Sequence, residues 1–219
     1  MRFILLFIFI FSSVYALEIK HTPIKFGEQR IELTKKYIKF HYNLEVENIK
    51  IVPKIILVHY TAIDDYKKSL NRFTSETLPT DRPDISKAGA LNVSTHFMIE
   101  RDGTIHQLMP LNIMARHVIG LNYNSIGIEN VGGENNVENL TVEQLVSNIL
   151  LIKWLKKKID TLEYVVAHQE YRCFEGSDLW LEVDDAYRTK KYDPGESFMR
   201  DLRANIDGFK TAPCNKGHK

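Results

Sequence analysis

Lys54-Ile55-Ile56-Leu57-Val58-His59 is a run of four aliphatic residues that ends in a histidine. An uninterrupted apolar run, without the polar alternation of a half-solvated strand, predicts a strand buried on both faces. A second run of this kind, Tyr164-Val165-Val166-Ala167-His168, also ends in a histidine. Strands of this type lie at the centre of a sheet that helices cover, so the sequence predicts an α/β fold.

Further strands and helices are predicted around these two runs. Asp102-Gly103 is a strong hairpin signal, so residues 93–100 and 104–109 are predicted as antiparallel strands. Residues 125–131 are predicted as a short strand and residues 77–92 as a long surface loop. Helices are predicted at 31–41, 64–73, 142–159 and 197–209. The predicted fold class is α/β, a single domain with a mixed central β-sheet flanked by helices.

The predicted helix at 142–159 has the clearest pattern. Thr141 and Gln144 have the spacing of a capping box, in which each side chain bonds the other residue's backbone N–H. This helix should therefore begin at residue 142 and cover the sheet. Its sheet-facing stripe is predicted to consist of Val142, Leu145, Val146, Ile149, Ile152, Leu155 and Ile159.

Length and composition fit one domain and indicate no strongly charged partner. At 219 residues and 44% hydrophobic content, the chain can bury a full core. Lys and Arg number 29 against 28 Asp and Glu, which gives a formal net charge of +1. No basic field for nucleic acid is therefore expected.

The first sixteen residues predict a signal peptide. Arg2 precedes the apolar run of residues 3–11, and Val14-Tyr15-Ala16 fits a cleavage site after Ala16. Residues 3–16 are fewer than the roughly 20 that span a bilayer, so no stable membrane anchor is expected. The mature protein is expected to be exported, periplasmic or secreted. The predicted boundaries are 1–16 for the signal peptide, 17–49 for a leader and helix, 50–210 for the main domain and 211–219 for a tail.

The predicted export makes a disulfide between the two cysteines of the chain possible. In an oxidising compartment Cys173 and Cys214 could pair and tie the C-terminal tail to the segment after His168. A disulfide requires Cα atoms about 4.4–6.8 Å apart, so the sequence leaves this pairing open.

Two histidines and an aspartate form a candidate metal site. His59 and His168 each close an apolar strand, and open sheets place their sites at strand ends. Asp193 lies in Lys191-Tyr192-Asp193-Pro194-Gly195, where proline and glycine stop any regular element. The set fits a catalytic zinc site with three protein ligands and one open position. It also suits iron, so the identity of the metal stays open.

Glu129 is the candidate general base. In Ser125-Ile126-Gly127-Ile128-Glu129, strand alternation directs the two isoleucines to the core and Glu129 to the other face. A catalytic zinc lowers the pKa of its water toward about 7, but a side chain must still take the proton. The alternative is an ordinary glutamate on a solvated sheet face. Lys191 would stabilise the oxyanion that forms when water adds to a carbonyl.

Six motifs follow one another along roughly residues 50–205: His59-Tyr60-Thr61-Ala62, Asn92 to Phe97 with Arg101-Asp102-Gly103-Thr104, Ala115-Arg116-His117-Val118-Ile119-Gly120, Ser125 to Glu129, Val166-Ala167-His168 and Lys191 to Gly195. Together they resemble the N-acetylmuramoyl-L-alanine amidase type 2 family, which includes zinc-dependent cell-wall amidases and is related to the peptidoglycan recognition proteins. The resemblance implies hydrolysis of the amide between the lactyl group of muramic acid and L-alanine. By motif, the implied zinc ligands are His59, His168 and Asp193, with Glu129 as base and Lys191 as oxyanion partner.

The resemblance also implies a substrate-binding role for His117, near the cleft. Arg116 is a candidate ligand for a peptide carboxylate, because its planar fork suits bidentate pairing. Thr95 stands where some relatives carry a tyrosine and cannot offer a phenol to the site. His168 and Asp193 lie 25 positions apart, more than in many bacterial members. The extra segment, residues 169–190, is predicted at the cleft rim, where it could shape substrate choice or be a plain surface excursion.

Two other functions remain open on the sequence. A peptidoglycan-binding module without catalysis is one, although such proteins typically lose a metal ligand and this chain keeps each expected one. A zinc peptidase that cuts within the stem peptide is the other. In each case the expected partner is peptidoglycan or a muropeptide, with no nucleic acid, and the oligomeric state is not determined.

Overall fold

A mixed six-stranded sheet forms the centre of the protein in a computed structural model that describes residues 17–214. Its strands are β1 (Ile19–His21), β2 (Ile55–Tyr60), β3 (Phe97–Ile99), β4 (Ile105–Gln107), β5 (Ser125–Asn130) and β6 (Tyr164–Ala167). Their order is β1-β4-β3-β5-β2-β6, in which the hairpin partners β3 and β4 are antiparallel and the other paired neighbours are parallel. The predicted α/β fold with a mixed sheet is confirmed.

Five helices surround the sheet: α1 (Glu28–Tyr42), α2 (Tyr66–Thr74), α3 (Pro83–Ser86), α4 (Val142–Lys158) and α5 (Glu196–Arg203), all within the described residues. The four-residue α3 falls in the region predicted as a surface loop. None of the helices in residues 17–214 combines the length and apolar character that crossing a membrane requires. The predicted signal peptide, residues 1–16, lies outside the described residues.

The two faces of the sheet are covered by different parts of the chain. Helices α4 and α5 cover one face, where Ile126 and Ile128 of β5 pack in the largest apolar cluster. On the other face, Leu57 of β2 packs against the segment after β6 and residues 118–121. Every residue of β2 and β5 is buried, as the uninterrupted apolar run predicts. The strand ends therefore carry the polar side chains of the sheet centre.

The buried face of α4 differs from the predicted stripe. The capping box of Thr141 and Gln144 is present, but Val142 is 71% exposed and Val146 is 40% exposed. Gln144 is buried instead, and its amide donates to the carbonyls of Ile99 and Val131 at 3.2 and 2.9 Å. The helix crosses strand ends whose carbonyls need donors, so buried amides replace aliphatic residues there.

The last helix is shorter than predicted. Helix α5 ends at Arg203 rather than near residue 209. Lys210 then runs beside β6, where its N–H donates to Glu163 O at 2.8 Å and its carbonyl accepts from Val165 N at 3.1 Å. These backbone bonds require an extended chain, which a continuing helix would not provide.

Candidate metal centre and active site

Three neighbouring strands bring the predicted histidines and glutamate to one level. In the parallel pair β2 and β5, His59 lies opposite Glu129. In the parallel pair β2 and β6, Val58 lies opposite Ala167, so His168 follows at the level of His59. Because side chains at one level of parallel strands share a face, the three groups meet at the carboxyl edge of the sheet.

The turn that carries Asp193 is held at the same edge. The N–H of Gln169, next to His168, donates to the carbonyl of Asp193 at 3.0 Å. Past the turn, the Glu138 carboxylate accepts from the N–H of Phe198 at 2.7 Å, in the first turn of α5. A carboxylate there compensates the N-terminal helix dipole and fixes where α5 begins. The turn is therefore held on both sides.

His59, His168 and Asp193 converge on one point. His59 Nδ1 lies 2.9 Å from His168 Nδ1 and 3.2 Å from Asp193 Oδ2, and His168 Nδ1 lies 2.9 Å from Asp193 Oδ2. Zinc bonds of about 2.0–2.2 Å in a tetrahedron separate neighbouring ligand atoms by about 3.3 Å, close to these distances. The three residues are buried and form a group that could hold a metal ion.

The charges of this group favour a cation between them. Burial alone would raise the pKa of Asp193, but the imidazoles of His168 and His59 outweigh it and hold the pKa well below its usual range. Burial lowers the pKa of His168 to about 3. A neutral imidazole and a carboxylate are the protonation states in which His168 and Asp193 bind a metal. The residues present therefore fit the metal that the sequence predicts.

Glu129 is buried beside this group, with one oxygen free for chemistry. Its Oε2 has no hydrogen-bond partner among residues 17–214, and the residue lines the cleft next to His59. Burial and then the charge of Asp193 raise the pKa of Glu129 well above its usual value, while Lys191 opposes the shift. Because burial disfavours the charged carboxylate, this group holds a proton more readily than an exposed glutamate does, which suits a general base.

A cleft of about 500 Å³ opens above these groups. Lys191 lines it, and burial lowers the pKa of this lysine, opposed by Asp193. Arg82, which the sequence analysis did not single out, also lines the cleft, and its charge lowers the pKa of both Glu129 and Lys191. It follows Asp81 in the loop before α3, where nothing in the local pattern distinguishes it from an ordinary surface charge.

His117 lies behind the metal-facing histidine. Its Nδ1 is 3.0 Å from His59 Nε2, and its Nε2 is 3.2 Å from the hydroxyl of Ser125. Burial, and then the imidazole of His59, lower the pKa of His117 well below its ordinary value. Although His117 lines the cleft, both ring nitrogens face protein atoms rather than solvent. His96 is fully buried, and its Nε2 donates to Ile113 O at 2.9 Å.

Arg116 is placed differently from the expectation that it would bind a substrate carboxylate. Its guanidinium is buried and donates to the carbonyls of Leu91 and Ile85 and to the hydroxyl of Tyr187. It also lies over the ring of Tyr37 in α1, 5.0 Å from the centroid. Through these contacts the guanidinium joins α1, the loop around α3 and the 169–190 segment, and both of its terminal nitrogens bond to protein atoms.

Hydrogen bonds hold the two ends of the 169–190 segment together next to the site. The Tyr171 hydroxyl donates to Thr189 O at 2.7 Å and accepts from Thr189 N at 3.0 Å. Asp193 can therefore reach His168 although the two lie 25 positions apart in the chain. A disulfide joins Cys173 to Cys214, with Cα atoms 4.6 Å apart. The pairing that the sequence left open is thus formed.

A second buried side chain joins the same three parts of the chain. Nδ1 of His41, in α1, lies 3.0 Å from both carboxylate oxygens of Glu182, and its Nε2 lies 3.1 Å from Ala88 O. The 169–190 segment is therefore anchored to the N-terminal helix and is more than a surface excursion.

No curated protein sequence matches this chain. Among solved structures, a selenomethionine derivative of AmpD is similar over 88% of this chain and 96% of its own, with a TM-score of 0.54 and 20% identity. The amidase LysC from Clostridium intestinale URNW covers 85% of this chain and 97% of its own, with a TM-score of 0.48 and 20% identity. Human PGRP-Iβ, in complex with a glycosamyl muramyl pentapeptide, covers 74% and 88%, with a TM-score of 0.49 and 14% identity.

At 20% identity and a TM-score of 0.54, the AmpD derivative shows a shared fold and no more. The sequence match is more specific, because a family model aligns with residues 50–196, which contain each predicted site residue. This chain belongs to the N-acetylmuramoyl-L-alanine amidase family.

Proposed function

We propose that this protein is a zinc-dependent amidase that hydrolyses the bond between the lactyl group of muramic acid and L-alanine in peptidoglycan or its fragments. The observation that carries the proposal is the convergence of His59 Nδ1, His168 Nδ1 and Asp193 Oδ2 within 3.2 Å of one another. A free, buried carboxyl oxygen of Glu129 lines the same cleft. This combination provides a metal site with a proton acceptor beside it.

The side chains divide the work of amide hydrolysis. Zinc, when bound by the two histidines and Asp193, acidifies a water molecule and polarises the scissile carbonyl. Glu129 accepts a proton from the attacking water and returns it to the nitrogen of the leaving alanine. Lys191 donates a hydrogen bond to the oxyanion that develops on the former carbonyl. Burial suits the role of Glu129, since it raises the pKa of its carboxyl group, while Asp193 opposes the lowering of the pKa of Lys191 and so favours its charged form.

Product masses test the reaction. Purified protein is incubated with peptidoglycan, and the soluble products are analysed by mass spectrometry. An amidase releases intact stem peptides that begin with L-alanine, a stem peptidase releases shortened peptides, and a binding module releases neither. Only the first result supports the proposal.

A matched pair of variants tests the role of Glu129. Glu129→Gln keeps the shape of the side chain but cannot accept the proton, so kcat should fall about 10²–10⁴-fold. Zinc content, measured by elemental analysis, should not change. Glu134→Gln is the control, because Glu134 is exposed in the loop after β5. Wild-type activity in Glu129→Gln would remove this residue from the mechanism.

We further propose that the protein acts outside the cytoplasm after cleavage near Ala16. The signal-peptide pattern of residues 1–16 supports this location. The Cys173–Cys214 disulfide is consistent with an oxidising compartment. N-terminal sequencing of the protein recovered from its native cells should begin at Leu17, and an intact Met1 would contradict the proposal.

A further inference from the structure

A continuous line of hydrogen bonds leads from a main-chain carbonyl to the metal-facing histidine. The Ser125 hydroxyl lies 2.8 Å from Leu121 O and 3.2 Å from His117 Nε2. His117 Nδ1 lies 3.0 Å from His59 Nε2, and His59 Nδ1 faces His168 and Asp193. Ser125 begins β5 and is fully buried, so water does not compete for these bonds.

The partners determine where each proton lies. Leu121 O can only accept, so the Ser125 hydroxyl donates to it and offers a lone pair to His117 Nε2. His117 therefore carries its proton on Nε2. No carboxylate lies within hydrogen-bonding distance of its ring among the described residues, so a charged imidazolium there would be buried without a counterion. His117 Nδ1 is then a bare acceptor, and His59 Nε2 must donate to it.

The surroundings of His117 hold the ring in this orientation. Asn122 is buried, and its side-chain oxygen accepts from the N–H groups of His117 and Val118 at 2.8 Å. Gly127 of β5 lies against the ring of His117 and leaves the space that the ring fills. A Cβ atom at Gly127 would lie 2.9 Å from Cγ of His117, closer than real contacts allow. The glycine in the Ile-Gly-Ile strand therefore has a packing reason.

We propose that His117 and Ser125 are positioning residues, which fix the tautomer and orientation of His59 so that its bare Nδ1 points at the metal. The inference deepens the proposed function and rests on it, since it assumes that His59 binds zinc. It replaces the substrate-binding role predicted for His117, whose ring nitrogens are both engaged within the protein. Groups that orient a metal-bound histidine in this way typically contribute 10–100-fold to metal affinity.

Zinc affinity of three variants tests the proposal, measured on the full mature chain by competition with a chromogenic chelator. His117→Phe keeps a ring but removes both nitrogens, so affinity should fall about 10–100-fold. His117→Asn restores an acceptor near the position of Nδ1 and should recover part of the loss. Ser125→Ala removes the group that sets the tautomer and should weaken binding by about 10-fold.

Ser69→Ala is the matched control. Ser69 is fully buried like Ser125, and its hydroxyl also donates to a carbonyl, that of Ile63. It should bind zinc as tightly as the wild type. Urea unfolding of the metal-free variants shows which of them fold. A general loss of stability would not produce the predicted order of zinc affinity, which falls from wild type to His117→Asn to His117→Phe.

A spectrum supplies a readout that does not depend on zinc or on folding of a variant. Two-bond ¹H–¹⁵N correlations of the wild-type imidazoles should place the proton of His117 on Nε2, with or without zinc. A proton on Nδ1 would overturn the inference, and so would His117→Phe and Ser125→Ala variants that bind zinc within about twofold of the wild type. A wild-type protein that binds no zinc would instead refute the proposed function, while the spectrum would still decide the tautomer.

Discussion

Breaking the buried His41–Glu182 pair, which joins α1 to the 169–190 segment, should lower the free energy of unfolding of the protein. The side chains of His41 and Glu182 are 1% and 0% exposed. Removing one partner of such a pair leaves the other buried without its hydrogen bond, at a cost of about 1–3 kcal/mol. Glu182→Ala also leaves the N–H of Asp184 without its acceptor, 3.0 Å away. The expected loss is therefore a large part of the roughly 5–15 kcal/mol that stabilises a typical domain.

Urea unfolding of the metal-free protein measures this loss, and a double-mutant cycle isolates the pair. His41→Ala and Glu182→Ala should each destabilise strongly, while the double variant should be more stable than the sum predicts by about 2–3 kcal/mol. Glu45→Ala is the control, because Glu45 pairs with Lys39 of α1 and both of these side chains are exposed. Water screens that pair, so its loss should leave stability nearly unchanged. Equal effects of Glu182→Ala and Glu45→Ala, or additive effects in the cycle, would refute the reasoning.

Three further predictions concern packing, acid stability and the disulfide. Gly127→Ala should push against the ring of His117 and destabilise the protein by about 1–3 kcal/mol in urea unfolding; unchanged stability would contradict the close approach. Burial lowers the pKa of His96 to about 4, so the unfolded chain takes up this proton first as the pH falls. The free energy of unfolding is therefore not reduced by this histidine above about pH 6.5, and it decreases by about 3 kcal/mol as the pH falls to 4. His96→Asn should remove that decrease from unfolding measurements at pH 7 and pH 4, and an identical decrease in both proteins would refute it. Replacing Cys173 and Cys214 together by alanine should lower the free energy of unfolding by about 2–4 kcal/mol, because the disulfide closes a loop of 41 positions. An oxidised wild type no more stable than this variant would show that the bond adds nothing.

Local patterns were sufficient for the frame of the fold. The run at 55–58 is a buried strand, Asp102-Gly103 lies between antiparallel strands, and Thr141 begins a helix with a capping box. Each of these features depends on residues close together in the chain, where backbone geometry and burial follow from residue type. The candidate metal ligands were also visible in the sequence, because few residue types bind zinc and two of the three close predicted strands.

The sequence pattern was misleading where a side chain is satisfied by a distant part of the chain. Val142 and Val146 fit an apolar stripe, yet the helix buries Gln144, whose amide meets carbonyls at the strand ends. Arg116 has the chemistry of a carboxylate ligand, yet main-chain carbonyls from the loop around α3 occupy its donors. Neither outcome has a local signal, since the partners lie more than ten positions away.

By itself, the sequence determined the fold class, the order of the central elements without β1 and α3, and the residue types that could hold a metal. The tertiary structure decided that the turn with Asp193 returns to His59 and His168 after the 169–190 segment, which Tyr171 and Thr189 close at its base. It also decided that both ring nitrogens of His117 lie against protein atoms, Nδ1 at 3.0 Å from His59 Nε2 and Nε2 at 3.2 Å from the Ser125 hydroxyl. The physical reason is that a hydrogen bond depends on separation in space, and the chain order does not specify separation between residues 58 to 134 positions apart.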